Sequence, residues 1–405
     1  MNILFVCPYT PTRIRTRSLN LLRALVQRGH RVTLATLWEN EQELGALDEW
    51  RAQNVSIIAA RLTKPQVGMN AARALASGKP LQSLYCWQPA LMRQLIERAN
   101  APIDFIHVEH LRGAEYGLRL RRAKPSIPIV WDSVDCISYL FEQAAQSSRS
   151  LFGKWITRFE LGRTRRREDW LVKQFNRTLV TSELDKRAFM QLEPHADLST
   201  ISERIQVLRN GVDLEYFAPR GAPRDTPTII FTGKLSYHAN ITAAMYLIDQ
   251  IMPRVWQTVP AARAQIVGYK PPRQLLDLQT KNPARVSVIG TVPDLRPYLS
   301  QASVAVAPML YGAGIQNKVL EAMAMATPVV AMPQAVAALS VCAESDLLIG
   351  QSPDELAHQI VRVLTDPNLA ERLGRAGRRY VESNHDWNRI AAQLESIYLQ
   401  ASAVN

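Results

Sequence analysis

Short apolar runs alternate with longer stretches of helical period along the whole chain. In the first half, apolar runs at 3–7, 31–36, 55–59, 105–108, 127–131 and 178–181 predict strands, and stretches such as 18–28 and 89–98 predict helices. Thr181 and Ser182, followed by Glu183 and Asp185, read as a helix start, where acidic residues suit the helix dipole. The second half repeats the style, with strands expected at 228–232, 264–267, 286–289, 304–307, 328–331 and 347–349. Its helices are expected at 239–256, 317–325, 353–364, 368–382 and 387–399. Strands that alternate with helices imply parallel, doubly wound sheets, and two such sets imply two Rossmann-like α/β domains.

The join is marked by the turn signal Arg209-Asn210-Gly211-Val212-Asp213 and by the Pro- and Gly-rich run 217–223. The expected division is therefore 1–209, 210–385, and a last helix within 386–405 that packs back on the first domain. Ligands of open α/β sheets bind beyond the carboxyl ends of the strands, so two facing domains would form a cleft.

The length, 405 residues, exceeds one comfortable core and agrees with two domains of roughly 200 residues. Apolar residues make up 47% and charged residues 21%, which excludes a disordered, collagenous or disulfide-scaffold chain. The net charge of +12 is lopsided. Residues 1–210 hold 31 Lys and Arg against 20 Asp and Glu, whereas residues 211–405 hold 17 against 16. A basic half implies anionic partners. Residues 141–175 concentrate the excess, with Arg158, Arg163, Arg165, Arg166, Arg167 and Lys173 among Trp155, Phe159 and Trp170. Two readings of that segment stand: a solvated helix with its aromatics tucked into the core, or a basic amphipathic surface for anionic lipid or another polyanion.

Cys7, Cys86, Cys136 and Cys342 form no metal-binding or CxxC spacing and read as four buried free thiols in a reducing cytosol. The N-terminus is apolar from Ile3 and reads as a strand rather than a signal peptide. No apolar run reaches the length of a membrane span, so membrane contact is expected only as peripheral attachment to the inner face. No nucleic-acid module is present, and no GxGxxG follows the first strand, so neither nucleic acid nor a dinucleotide cofactor is expected.

The richest stretch for chemistry runs from Pro308 to Ala324. A strand ends, a turn with Gly312 and Gly314 follows, and a helix begins. The glycines let a ligand approach the backbone, and free N–H groups at a helix start favour an anion. Lys318 and Glu321 are three apart and share a helical face, so one can hold phosphate while the other accepts from a ribose diol. The elements together point to a nucleotide-diphosphate site.

With Phe231-Thr232-Gly233-Lys234-Leu235, Ile289-Gly290-Thr291-Val292, the run from Gly312 to Ala324, and His385-Asp386-Trp387, the chain resembles the retaining glycosyltransferases of family four, which have the GT-B fold. It looks most similar to the bacterial subgroup linked to exosortase-associated exopolysaccharide clusters. The resemblance covers nearly the whole chain and is strongest over 208–398.

It implies a metal-independent transfer of a sugar from a nucleotide diphosphate to a hydroxyl. The nucleotide sugar is then a co-substrate, with no permanently bound cofactor. Gly233 and Lys234 match the family's Gly-Arg at the donor diphosphate; Lys keeps the charge without the guanidinium fork. Val292 matches the position that meets the base, Glu321 the ribose-binding glutamate, and Lys318 a lysine facing the diphosphate. Ala313 stands where the family has a sugar-contacting glutamate, so backbone N–H groups of Ala313 and Gly314 are expected to serve, within a donor loop that includes Gly312, Ile315 and Gln316.

In the first domain the candidates are Arg13, Arg15 and Arg17 for a phosphate, and Glu109, His110 and Asp132 for an acceptor hydroxyl. The acceptor class is a glycan or lipid-linked sugar at an anionic membrane face. A GT-B epimerase and a non-catalytic nucleotide-sugar-binding partner remain the alternatives.

Overall fold

A computed structural model describes residues 1–12, 15–147, 151–192, 198–219, 221, 224, 226–311 and 315–402. The chain divides into two units, Met1–Arg209 together with Trp387–Asn405, and Asn210–Asp386.

The first unit is built on seven parallel strands: β1 (Asn2–Cys7), β2 (Arg31–Trp38), β3 (Ser56–Arg61), β4 (Phe105–Glu109), β5 (Ile129–Val134), β6 (Arg177–Val180) and β7 (Ile205–Val207). Their order is β3-β2-β1-β4-β5-β6-β7. Central strands of such a sheet are covered on both faces, and β1 and β4 are accordingly buried almost end to end. One face packs Ile3, Phe5, Leu22, Leu34 and Val130 against the helix Trp387–Ser402, whose Ile390, Leu394 and Tyr398 complete the cluster. The Tyr398 hydroxyl meets His107 Nδ1 at 2.9 Å beneath β4. Burying each such side chain contributes about 1.5–3 kcal/mol.

The second unit carries six parallel strands: β8 (Thr228–Thr232), β9 (Arg263–Val267), β10 (Val286–Ile289), β11 (Val304–Ala307), β12 (Val329–Ala331) and β13 (Leu348–Ile349). Their order is β10-β9-β8-β11-β12-β13. The expected pair of parallel-sheet, Rossmann-like domains is therefore observed, and each sheet reverses strand order once, between β1 and β4 and between β8 and β11.

Several local expectations change. β7 has no counterpart among the predicted strands, because three residues running straight out of the helix Leu198–Arg204 carry no readable period. The single helix expected at 239–256 is His238–Tyr246, a π turn at Leu247–Ile251 and Met252–Thr258. Pro253 lacks the N–H that would continue the α ladder there. Cys342 is exposed, so three thiols are buried rather than four. The basic helix Leu151–Gln174 has a mixed inward face: Glu160, Thr164 and Glu168 are buried beside Leu171 and Val172, whereas Phe159, Arg166, Trp170 and Lys173 are exposed. Glu168 accepts from the Ile137 and Ser138 N–H groups at 2.7 and 3.1 Å, which capture the inward carboxylate. Among the described residues, no helix is long and apolar enough to cross a membrane.

Candidate functional site

In open α/β sheets the crevice at the point of reversal receives ligands. In the second unit that point is flanked by the turns after β8 and β11. The first is tight. A Cβ at Gly268 would lie 1.7 Å from the Gly233 carbonyl oxygen, and a Cβ at Gly233 would lie 2.9 Å from the Asn240 side-chain nitrogen. Only hydrogens fit at both positions. Lys234 follows, exposed, and its carbonyl accepts from Asn240 Nδ2 at 3.0 Å.

After β11, Tyr311 leads into the turn, and Ile315 is buried against the core. Gly312, Ala313 and Gly314 lie outside the described residues. Gln316 caps the helix Asn317–Ala324, which carries Lys318 and Glu321 on one face, both half-buried. Lys318 Nζ donates to Asn240 Oδ1 at 2.7 Å and Gln316 Oε1 at 3.3 Å, and it lies 3.5 Å from Met309 Sδ and 5.3 Å from the centre of the Phe231 ring. All of these partners are neutral. Burial pulls the ammonium down to about 8, against the weaker upward pull of Glu321. Burial pushes Glu321 up to about 7, against the downward pull of Lys318. The site thus holds an ammonium and a carboxyl near neutrality with no close ionic partner among the described residues.

Val292 is half-buried beyond the end of β10. Sequence reasoning missed Asn240, His238 and Tyr311. His238 Nδ1 meets the Tyr311 hydroxyl at 2.9 Å, Thr242 Oγ1 meets it at 3.1 Å, and the two rings stack at 5.4 Å. This clasp ties the turn after β8 to the turn after β11.

The first unit's reversal point is differently equipped. Arg13 lies outside the described residues. Arg15 is held by the Thr10 carbonyl at 3.1 Å, by Glu43 at 3.5 Å and over the Tyr9 ring at 4.5 Å. Arg17 is not an anion site. It is buried, its Nε donates to Asp132 Oδ2 at 2.8 Å, its Nη2 forms an ion pair with the same oxygen at 2.8 Å, and Nη1 donates to the Leu208 and Arg209 carbonyls. Asp132 likewise faces inward, between Arg17 and His107. Burial would raise its carboxyl, but Arg17 and His107 hold it below the usual carboxylate range. A polar pair at a strand end reads as a site in sequence; here it pins β5 to the end of the first unit.

Glu109 and His110 remain. Glu109 is buried, and its Oε1 accepts from Ser18 Oγ at 2.7 Å and the Tyr9 hydroxyl at 3.1 Å. Its Oε2 has no hydrogen-bond partner among the described residues. Burial, with the Asp132 charge nearby, pushes its carboxyl up. Burial and then Arg112 pull His110 down to about 3, leaving the ring neutral. His110 and Val134, at the ends of β4 and β5, have φ of 64° and 72°. Left-handed backbone at a β-branched residue is strained, and such strain collects at ligand sites. Among the described residues no group of three or more His, Cys, Asp or Glu could hold a metal ion.

Two Rossmann-like units with this strand order are the architecture of the GT-B glycosyltransferases. The chain belongs to Glycosyltransferase Family 4, whose model matches residues 14–216, half of the chain; that of Glycosyl transferases group 1 matches residues 226–366. It is similar to the alpha-maltose-1-phosphate synthase of Mycobacterium tuberculosis, with 27% identity over 262 residues (58% of this chain, 66% of that one). It is also similar to the MMP alpha-(1->4)-mannosyltransferase of Mycolicibacterium hassiacum, with 28% identity over 215 residues and 51% of each chain covered. The chain thus spans about half to two thirds of the length of these curated relatives. Among solved structures, sucrose-phosphate synthase from Thermosynechococcus elongatus superposes with a TM-score of 0.70 at 18% identity over 100% of both chains. HepE of Anabaena in complex with UDP and glucose superposes with a TM-score of 0.68 at 16% identity, over 98% of this chain and 99% of that one. At these identities the likeness is one of fold.

Proposed function

We propose that the protein transfers a sugar from a nucleotide diphosphate to a hydroxyl acceptor with retention at the anomeric carbon, without a metal, in exopolysaccharide or cell-surface glycan assembly. The observation that carries this reading is Lys318, an ammonium at the reversal point between β8 and β11 whose partners are all neutral. A half-buried cation with no ion-pair partner among the described residues is the complement of a diphosphate. Lys234 adds a second charge, Gly233 admits the ligand close to the backbone, Val292 meets the base, and Glu321 accepts from the ribose.

In the reaction the bond from the anomeric carbon to the diphosphate oxygen breaks, and a bond to the acceptor oxygen forms on the same face of the sugar. The acceptor proton passes to the departing phosphate oxygen. Negative charge grows on the leaving group, and Lys318 and Lys234 stabilise it. On the acceptor side Glu109, His110 and Arg15 are the side chains left to meet a hydroxyl or phosphate, with Arg17 and Asp132 supporting the strand ends beneath them.

The acceptor we propose is a glycan or lipid-linked sugar, met by a cytoplasmic enzyme attached peripherally to an anionic membrane. The excess cations of residues 1–210 and the outward Phe159, Arg166, Trp170 and Lys173 support that attachment, since aromatics suit the headgroup boundary and cations the lipid charge. Flotation with phosphatidylglycerol vesicles at low salt tests it; protein left at the bottom of the gradient removes the membrane from the proposal.

The decisive test of the donor site is a thermal-shift panel of nucleoside diphosphates. UDP comes first, since HepE was crystallised with it. A ligand at one hundred times its Kd stabilises the fold by about 2.7 kcal/mol. No shift with any nucleotide sinks the proposal, as does full turnover by Lys318→Ala.

A further inference from the structure

We infer that Asn240 is a positioning residue that holds the Lys318 ammonium in place while leaving its charge uncancelled. The inference rests on the donor-site reading above and adds a residue to it.

Asn240 lies in the first turn of the helix His238–Tyr246 and is 7% exposed. A buried Asn inside a helix needs a reason, because its amide competes with the backbone and must find partners on both sides. Here both ends are engaged. An ammonium only donates and a carbonyl only accepts, so Oδ1 must face Lys318 Nζ, at 2.7 Å, and Nδ2 must face the Lys234 carbonyl, at 3.0 Å. The amide cannot turn over without losing both bonds.

One side chain therefore joins the two lysines proposed to grip the diphosphate, one through its ammonium and the other through its backbone. The remaining Lys318 acceptors are longer, at 3.3 Å to Gln316 and 3.5 Å to Met309 sulfur, so Asn240 sets the aim. Gly233 completes the device, since a Cβ there would press on the same amide.

The choice of amide over acid carries the chemistry. A carboxylate at 2.7 Å would hold the ammonium equally well but neutralise it, and an arriving diphosphate would have to compete with that carboxylate. An amide oxygen accepts from the same ammonium and leaves the full positive charge for the ligand.

The near-isosteric Asn240→Asp separates these roles. In the wild type, kcat/KM for the donor should fall above pH of about 8 as Lys318 loses its proton. In Asn240→Asp the new anion should move that alkaline limb upward while donor affinity at neutral pH drops about tenfold or more, the scale of coupling within one hydrogen-bonded network. Asn240→Ala should raise KM for the donor and lower kcat, and should add little once Lys318→Ala is present. Asn240→Ser serves if the alanine variant fails to fold, judged by circular dichroism. Unchanged donor affinity and an unmoved alkaline limb in Asn240→Asp overturn the inference, as does strict additivity of the Asn240 and Lys318 substitutions. If the wild type binds nucleotide and Lys318→Ala does not, yet Asn240 variants match the wild type, only the positioning role is lost. If no nucleotide binds the wild type, the donor site itself is wrong.

Discussion

The two reversal points share a strand order and differ in how they treat charge. Between β1 and β4 the ionisable groups face one another: Arg17 meets Asp132, Arg15 meets Glu43, and Glu109 is held by hydroxyls. Between β8 and β11 the Lys318 ammonium meets an amide, a second amide, a thioether and a ring face, and among the described residues no carboxylate within ion-pair distance. The unit containing nearly all the net positive charge has its buried cation cancelled, whereas the nearly neutral half has one left open. Counting charges thus does not single out Lys318; its neutral partners do so only together with its place at the reversal point between β8 and β11.

This contrast can be broken at its strongest point first. Asp132→Ala leaves the buried Arg17 guanidinium without its counter-ion and should cost about 3–5 kcal/mol in urea unfolding, with nucleotide affinity of the folded protein unchanged. A loss under 1 kcal/mol would remove the claim that the pair is structural. Lys318→Ala should do the reverse, lowering kcat/KM on the order of 100-fold while leaving the unfolding midpoint near the wild-type value. Equal damage to stability would make Lys318 a packing residue.

The pH dependence sharpens the same point. Burial pushes Glu321 up to about 7 and pulls Lys318 down to about 8. If the donor needs Glu321 ionised and Lys318 protonated, kcat/KM in the free enzyme rises as pH climbs through about 7 and falls as it passes about 8. A profile flat from pH 6 to 9.5 contradicts that assignment. The smallest effect belongs to Arg15→Ala, which removes a partly exposed ion pair worth about 0–1 kcal/mol. It should raise KM for the acceptor and leave donor KM alone; a change confined to donor KM would reassign Arg15.

The alternation of apolar runs was enough to read two parallel α/β sheets, because strands buried on both faces must be apolar throughout. That Lys318 and Glu321 share one helical face was also legible, since helical spacing is local; Gly233 was reached only through the family resemblance. Asn240 was not: its meaning lies in a contact with a residue 78 positions away, and a neutral amide gives no local signal. Arg17 misled for the matching reason. Its partner Asp132 is 115 residues distant, and a charge looks available until the group that cancels it is seen. The segment 151–174 is helical as read, but its inward row is mixed: Leu171 and Val172 are buried beside Glu160 and Glu168, whose carboxylates are met by the N–H groups of Leu81, Ile137 and Ser138.

The helix Trp387–Ser402 belongs to the first unit although it is made after the whole of the second. Tyr398 reaches back 291 residues to His107. During synthesis, which proceeds from the N-terminus, the face carrying Ile3, Phe5 and Leu22 therefore stays uncovered until the second unit has left the ribosome. An apolar face left open for that interval is the kind of surface that chaperones shield, and the first unit becomes a finished body only after its neighbour has been made.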